Sequence, residues 1–244
     1  MDKQLFGEFM GTLVLVLLGN GSVANVLLEK TKGQNSGWIV INTGFFLAVM
    51  AGVAVAQACG SPGAHINPAV TLAVAIISGN FSNVAGFMIA QLLGALVGAV
   101  LVWIHFLPHW EHTPDPGMKL ACFSTGPAIR RKGANLISET IGTFLLFLII
   151  ASILSKGVTG SAGALAPGLV PYLVGAAVWA IGTGLGGTTG FAINPARDLG
   201  PRIAHAILPI PGKGDSDWDY ALVPVLGGLI GGALAGVFVK LAGI

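Results

Sequence analysis

Ser61-Pro62-Gly63-Ala64-His65-Ile66-Asn67-Pro68-Ala69-Val70 and Gly190-Phe191-Ala192-Ile193-Asn194-Pro195-Ala196-Arg197-Asp198 share the tripeptide Asn-Pro-Ala, and their reading decides the fold. Asn is a favoured helix N-cap, and Pro at the first helical position gives up only an N–H that would lack a partner there anyway. Each tripeptide therefore predicts a helix start, at Pro68 and at Pro195. The apolar stretches that follow are Ala69 to Ile77 and, after a polar lead-in, Ala204 to Leu208. Both are too short to cross a bilayer at about 1.5 Å per residue. Two half-helices are expected, each turning its positive end toward the protein interior.

The rest of the chain supplies a membrane setting for them. With 54% hydrophobic and 9% charged side chains over 244 residues, it lacks the charge that would cover a soluble surface. A net charge of +2, with no basic run beyond Arg130-Arg131-Lys132, does not suggest nucleic acid as a partner. Cys59 and Cys122 lack metal-ligand or Cys-x-x-Cys spacing, and Cys59, inside an apolar run, is expected as a small core residue. Lys3, the apolar Leu13 to Leu18 and Ser22-Val23-Ala24 imitate a signal peptide. Glu8 and the continuation of the apolar stretch to Leu28 instead predict an uncleaved first membrane helix.

Full-length apolar segments fall at about 5–28, 38–58, 84–107, 136–155, 168–187 and 220–241, with the half-helices after the second and the fifth. Gly7-Glu8-Phe9-Met10-Gly11-Thr12 is echoed by Ser138-Glu139-Thr140-Ile141-Gly142-Thr143. The glutamates are 139 − 8 = 131 apart and the asparagines 194 − 67 = 127 apart, so the chain is an internal repeat. Three spans per half, an odd number, make the repeat inverted, with broken helices meeting near the midplane. The expectation is an all-α membrane protein with one channel domain over 1–244. Its first repeat covers about 1–107, its connecting loop about 108–133 and its second repeat about 134–244.

Glycine rows such as Gly94 and Gly98, or Gly227-Gly228, Gly231-Gly232 and Gly236, fit close helix packing in lipid. The loop 108–133 is expected at the surface. Asp215, Asp217 and Asp219 lie in a similar loop and lack the glycine and distal glutamate of a calcium loop, so a solvated turn is expected and no metal. If the N-terminus is cytoplasmic, Lys3, Lys156 and Lys240 lie inside, against Lys30, Lys32, Lys119, Arg130, Arg131, Lys132, Arg202 and Lys213 outside. That count by itself favours the opposite orientation.

Charges at membrane depth need a partner or a purpose. Glu8 and Glu139 occupy equivalent places, and an acceptor-only carboxylate there suits the N–H groups of irregular backbone leading into a half-helix. Arg197 has no counterpart in the first repeat, where Val70 stands. It reads as a fixed cation at a narrow point, with forked donors for hydroxyl groups. His65 remains open as a buried histidine, a loop brace or a donor to a passing solute. Asn67 and Asn194 offer amide donors, and the extended runs 63–66 and 190–193 offer carbonyl acceptors. Two converging positive helix ends disfavour protons and cations, so the lining suits neutral hydroxylated molecules. No nucleophile–base pair, metal cluster or phosphate loop suggests an enzyme, and no cofactor is expected. A gradient-coupled secondary transporter is the alternative class, since inverted repeats with broken helices occur there too.

These residues resemble the aquaporin superfamily, specifically its glycerol-facilitator branch, over essentially the whole chain. The paired Asn-Pro-Ala boxes, Gly63 to Thr71, the Glu-x-x-Gly-Thr repeats and Asn194 to Pro201 carry the resemblance. Asp198 after Arg197 looks like the glycerol-conducting subgroup. The resemblance implies six transmembrane helices and two re-entrant half-helices in a right-handed bundle. It also implies one pore per protomer, a homotetramer in the cell (plasma) membrane, and cytoplasmic termini. It assigns Asn67, Pro68, Ala69, Asn194, Pro195 and Ala196 to the pore centre. Carbonyls of Gly63, Ala64, His65, Gly190, Phe191 and Ala192 would line the pore, and Glu8, Glu139 and Asp198 would support the half-helices. Its four-residue constriction falls on Arg197, Phe191, Gly182 and, counting twenty before Asn67 without a gap, Leu47. Glycerol facilitators resemble each other in a tryptophan at that last position. With Phe45 and Phe46 adjacent, a local shift would bring one of them in instead. Leucine there implies a wider, less aromatic opening. The solutes expected are glycerol with some water, or alternatively undissociated lactic acid, dihydroxyacetone or urea.

Overall fold

A computed structural model describes residues 2–159 and 168–244. Helix α1 (Lys3–Leu27), α2 (Trp38–Ala58), the half-helix α3 (Pro68–Ser78) and α4 (Val84–His105) form the first repeat. Short helices α5 (Leu107–His112) and α6 (Pro116–Ala121) lie in the connection. The second repeat runs through α7 (Lys132–Leu154), the single turn α8 (Lys156–Thr159) and α9 (Leu169–Gly184). It continues in the half-helix α10 (Pro195–Ile207) and closes with α11 (Trp218–Ala242). Among the described residues, α1, α2, α4, α7 and α11 are long and apolar enough to cross a membrane. The sixth expected span is the 16-residue α9, which ends at Gly184 rather than near 187. It begins beside residues 160–167, which belong to the second repeat as read from the sequence and lie outside the described residues.

The packing repeats as the sequence does. Helix α1 lies along α2 and α4, while α7 lies along α9 and α11. Each half-helix rests on the last helix of the other repeat, α3 on α11 and α10 on α4, and α2 meets α9 between them. Glycine permits these approaches where backbones nearly touch. A Cβ on Gly98 of α4 would stand 2.6 Å from Leu13 O of α1. One on Gly232 of α11 would stand 2.5 Å from Ala69 O in the first half-helix. Small residues substitute here for a hydrophobic driving force that lipid does not provide.

The connection 108–133 departs from the surface loop expected of it. Trp110, Cys122 and Phe123 are buried, and Phe123 packs against Trp110 at 5.6 Å and His205 at 5.4 Å between ring centroids. The segment folds inward because two buried side chains hold it, Asn20 through Phe123 O and Asp198 through Thr125 N and Oγ1. The fully buried thiol is Cys122, whereas Cys59 caps the end of α2 and is half-buried. The 209–219 loop is also tied down. Asp217 pairs with Arg130, and Asp219 with Lys132.

Replacing Gly232 by Val should push the first half-helix off α11. Overpacking of this kind costs about 1–3 kcal/mol, so the thermal midpoint of the purified protein in detergent should fall. An unchanged midpoint would mean that the contact with Ala69 yields freely.

Candidate functional site

The site begins with two loops of unusual backbone. Ala64 and Ile66 before the first box, and Phe191 and Ile193 before the second, have φ of 41°, 43°, 40° and 42°. Each pair stands three and one residues before its asparagine, so the two loops are copies in conformation as well as position. Left-handed backbone is costly for a β-branched residue such as Ile66 or Ile193, and such strain persists only where the surroundings impose it. Here the surroundings are Glu8 and Glu139, both buried. Glu8 accepts from His65 N at 2.9 Å and Ile66 N at 2.7 Å, and Glu139 from Ala192 N at 3.1 Å and Ile193 N at 2.9 Å. Glu8 also takes Ser61 Oγ at 2.6 Å and Gln91 Nε2 at 2.8 Å. With their N–H groups drawn to the carboxylates, the loops can turn carbonyls the other way, toward the cavity.

The boxes meet as expected of facing half-helices. Asn67 Oδ1 caps α3 by accepting from Ala69 N at 2.9 Å, and Asn194 Oδ1 caps α10 from Ala196 N at 3.1 Å. Each amide also reaches across: Asn67 Nδ2 donates to Ile193 O at 2.8 Å, and Asn194 Nδ2 to Ile66 O at 2.9 Å. That exchange uses one N–H of each amide and leaves the second for another acceptor. Pro68, Ala69, Pro195 and Ala196 are buried in the helix starts, where Ala69 backs onto Gly232 and Pro195 onto Gly228.

A cavity of about 290 Å³ runs past both boxes. Gly63, Ala64, His65, Phe191 and Ala192 border it. Gly190 does not; it makes the turn above, at φ 82°, against Thr125. His65 contacts both the cavity and Thr71 Oγ1, 3.1 Å from its Nδ1, so it braces the loop while lining it.

Arg197, Phe191 and Phe45 stand together at one end of this cavity. The Arg197 guanidinium carbon lies 4.6 Å over the Phe45 ring centre, and the Phe45 and Phe191 rings meet edge to face at 5.5 Å and 79°. Leu47 therefore does not join Arg197 and Phe191 at the cavity, as the ungapped count expected. It is 45% exposed on the outside of the bundle, while Phe45 is 3% exposed. Successive helical residues point about 100° apart. Phe45 consequently faces the cavity, Phe46 packs on Tyr172 and Trp179 of α9, and Leu47 faces outward. Counting twenty back from Asn67 assumes an ungapped match that the α2 turn does not obey. The two-residue displacement restores an aromatic wall and removes the wider opening that leucine implied. Gly182 stands behind Phe191, where a Cβ would come 3.0 Å from the ring and 2.9 Å from Asn42 Oδ1.

Asp198 accepts from Thr125 N and Oγ1, both at 2.7 Å, and from Arg202 Nη2 at 2.8 Å and Nε at 3.0 Å. It ties the second half-helix to the connection rather than pairing with Arg197. Composition offered no sign of Phe123 O, which accepts from Arg197 Nη1 at 3.4 Å. A backbone carbonyl carries no residue signature.

Glu139→Gln keeps the size but sets an amide NH₂ against the N–H groups of Ala192 and Ile193. One buried donor then loses its acceptor, at a cost of about 1–3 kcal/mol. The variant should melt lower in detergent than the wild type, and equal melting would remove Glu139 as the anchor of this loop.

Comparison with known proteins agrees with this geometry. The chain is 57% identical over 229 residues to a probable glycerol uptake facilitator protein of Thermotoga maritima, covering 93% of this chain and 94% of that one. It is 52% identical over 236 residues to a glycerol uptake facilitator protein of Streptococcus pneumoniae, covering 96% and 97%. The crystal structure of the aquaglyceroporin from Plasmodium falciparum superposes with a TM-score of 0.85 at 29% identity, covering 98% of this chain and 95% of that one. The family model for the major intrinsic protein matches residues 1–239, and the chain belongs to that family.

Proposed function

We propose that the chain is a passive channel for glycerol and related small uncharged polyols, with some water passing too and protons and ions excluded. The observation that carries this is the corner formed by Phe45, Phe191 and Arg197. Two aromatic rings at 79° offer an apolar angle for the carbon side of a polyol. The guanidinium beside them offers several N–H donors to its hydroxyls, a fixed fork that stays charged. A polyol has one apolar edge and one hydroxylated edge, and it satisfies both walls in one orientation. The relatives named glycerol uptake facilitators, at 57% and 52% identity, support the same solute.

At the centre, a solute oxygen receives the remaining N–H of Asn67 and of Asn194 at the positive ends of α3 and α10. An oxygen that accepts twice cannot also accept from the next water in file, which breaks a proton wire. A cation meets the same two positive ends. The chemistry is transport, with no bond made or broken. Undissociated lactic acid, dihydroxyacetone and urea follow more weakly, since the opening implied by Leu47 is closed by Phe45. Assembly into a tetramer in the cell membrane rests on the family resemblance, and native mass spectrometry at the mass of four chains is the expected result.

Stopped-flow light scattering on liposomes holding the purified protein tests the proposal. Glycerol should enter much faster than into empty liposomes and with low activation energy; no acceleration would overturn the channel reading, and acceleration by lactic acid alone would redirect it. Arg197→Ala removes the charge-assisted bonds, worth about 1.5–3 kcal/mol each. Its discrimination between glycerol and a five-carbon polyol should fall by roughly tenfold. Gly182→Ala, by crowding Phe191, should slow glycerol more than water, and an equal slowing of both would place Gly182 outside the constriction.

A further inference from the structure

Phe123 O, the oxygen that accepts from Arg197, accepts a second hydrogen bond from farther away in the chain. Asn20 Nδ2, on α1, donates to it at 2.7 Å across 103 residues. A carbonyl has two lone pairs, so one oxygen can take both donors. We propose that Asn20 is a positioning residue for Arg197, acting through the Phe123 carbonyl, and that it thereby helps set which solutes pass the constriction. The inference rests on the reading of Phe45, Phe191 and Arg197 as that constriction.

Asn20 is 1% exposed in the middle of an apolar helix, between Gly19 and Gly21. A buried amide there is unfavourable unless it has a partner, and an aliphatic side chain of similar size would pack without that need. A purely structural role would be to keep the segment 122–125 in place. That segment is already held by Asp198 through Thr125 and by the packing of Phe123 between Trp110 and His205. The plane of the 123–124 peptide is set by Ser124 N, which donates to Leu120 O at 3.0 Å and turns Phe123 O the opposite way, toward Asn20 and Arg197. Asn20 is the second donor on that oxygen and holds it within reach of Arg197 from the α1 side. The bond to Arg197 is long, at 3.4 Å, and buried Nε of the same guanidinium has no hydrogen-bond partner among the described residues. A small tilt of the carbonyl is therefore enough to release the arginine onto Phe45 alone, which widens the passage.

The test uses full-length protein in liposomes: wild type, Asn20→Leu, Arg197→Ala and the double variant, with glycerol and ribitol entry read separately. Asn20→Leu is expected to raise the ribitol-to-glycerol ratio by about fivefold, the scale of one coupled hydrogen bond. In the Arg197→Ala background the same change should add nothing, because the group it positions is gone. A merely structural Asn20 would lower thermal stability and total flux without moving the ratio, or would move it equally in both backgrounds; either result overturns the proposal. Should Asn20→Leu fail to assemble, Asn20→Ala, which removes the amide donor without adding a branched side chain, is read by the same two criteria. Potassium leak, expected to rise in Asn20→Leu and Arg197→Ala alike, needs no polyol flux and reports on the positioning even in a pore that rejects glycerol. Glycerol entry by the wild type at the rate of empty liposomes is a failure of the channel reading, distinct from an unmoved ratio in a conducting variant.

Discussion

Each pore loop is held by a carboxylate buried within the membrane-spanning bundle. Glu8 and Glu139 accept the backbone N–H groups of residues 65–66 and 192–193, and each loop contains two non-glycine residues in left-handed conformation. Left-handed backbone costs about 1–2 kcal/mol per residue. Hydrogen bonds to a charged acceptor return about 1.5–3 kcal/mol each. With two strained residues and two such bonds per loop, the terms are of the same size, so the loop conformation depends on the carboxylate. Everything functional follows from that direction of the N–H groups. With donors turned to the glutamates, the opposite edge of the loop can supply acceptors to the cavity, and the asparagines can begin their half-helices facing one another.

The two loops draw further support from different parts of the chain. Glu8 has two further donors, Ser61 Oγ and Gln91 Nε2, and Gln91 also reaches Thr71 Oγ1 at 2.9 Å. The second loop instead gains its support past the box. Asp198 and Arg202, both fully buried, pair at 2.8 Å, and the arginine reaches Thr125 O at 3.0 Å and Ser216 O at 2.8 Å. That network brings the 122–125 segment over the half-helix, where its Phe123 carbonyl meets Arg197. The repeat is thus symmetric at its centre and asymmetric around Arg197, where the first repeat has Val70.

Much of this was legible in the residues because it depends on residue type at fixed spacing. Asn-Pro gave both half-helix starts, the paired glutamates gave the loop anchors, and the glycine rows gave the closest helix approaches. What escaped has a different physical origin. Leu47 was misplaced because which residue of α2 meets Arg197 is a matter of helical phase, and a count through the turn 59–66 cannot fix phase to better than a residue or two. Gly190 turns the chain ahead of the second loop, at φ 82°. The segment 122–125 looks like loop sequence, and only its tertiary partners, Asn20 and Asp198, reveal that it is interior.

Most of the cations that set the charge count have tertiary partners that the sequence does not show. Eight cations fall on the face that carries Arg197, and the charge count treats each as a solvated loop charge. Arg202 is not in a loop at all, being buried in α10 against Asp198. Lys213 donates to the carbonyls of His205, Ala206 and Leu208, each at 2.7 Å, and so places a cation on the negative end of the second half-helix. Lys119 donates to Pro211 O, Arg130 and Lys132 pair with Asp217 and Asp219, and Lys30 Nζ lies 3.1 Å from His112 Nδ1. Six of the eight are engaged in holding the segments around the Arg197 end of the cavity. Their number on that face goes with the segments that they tie together around Arg197.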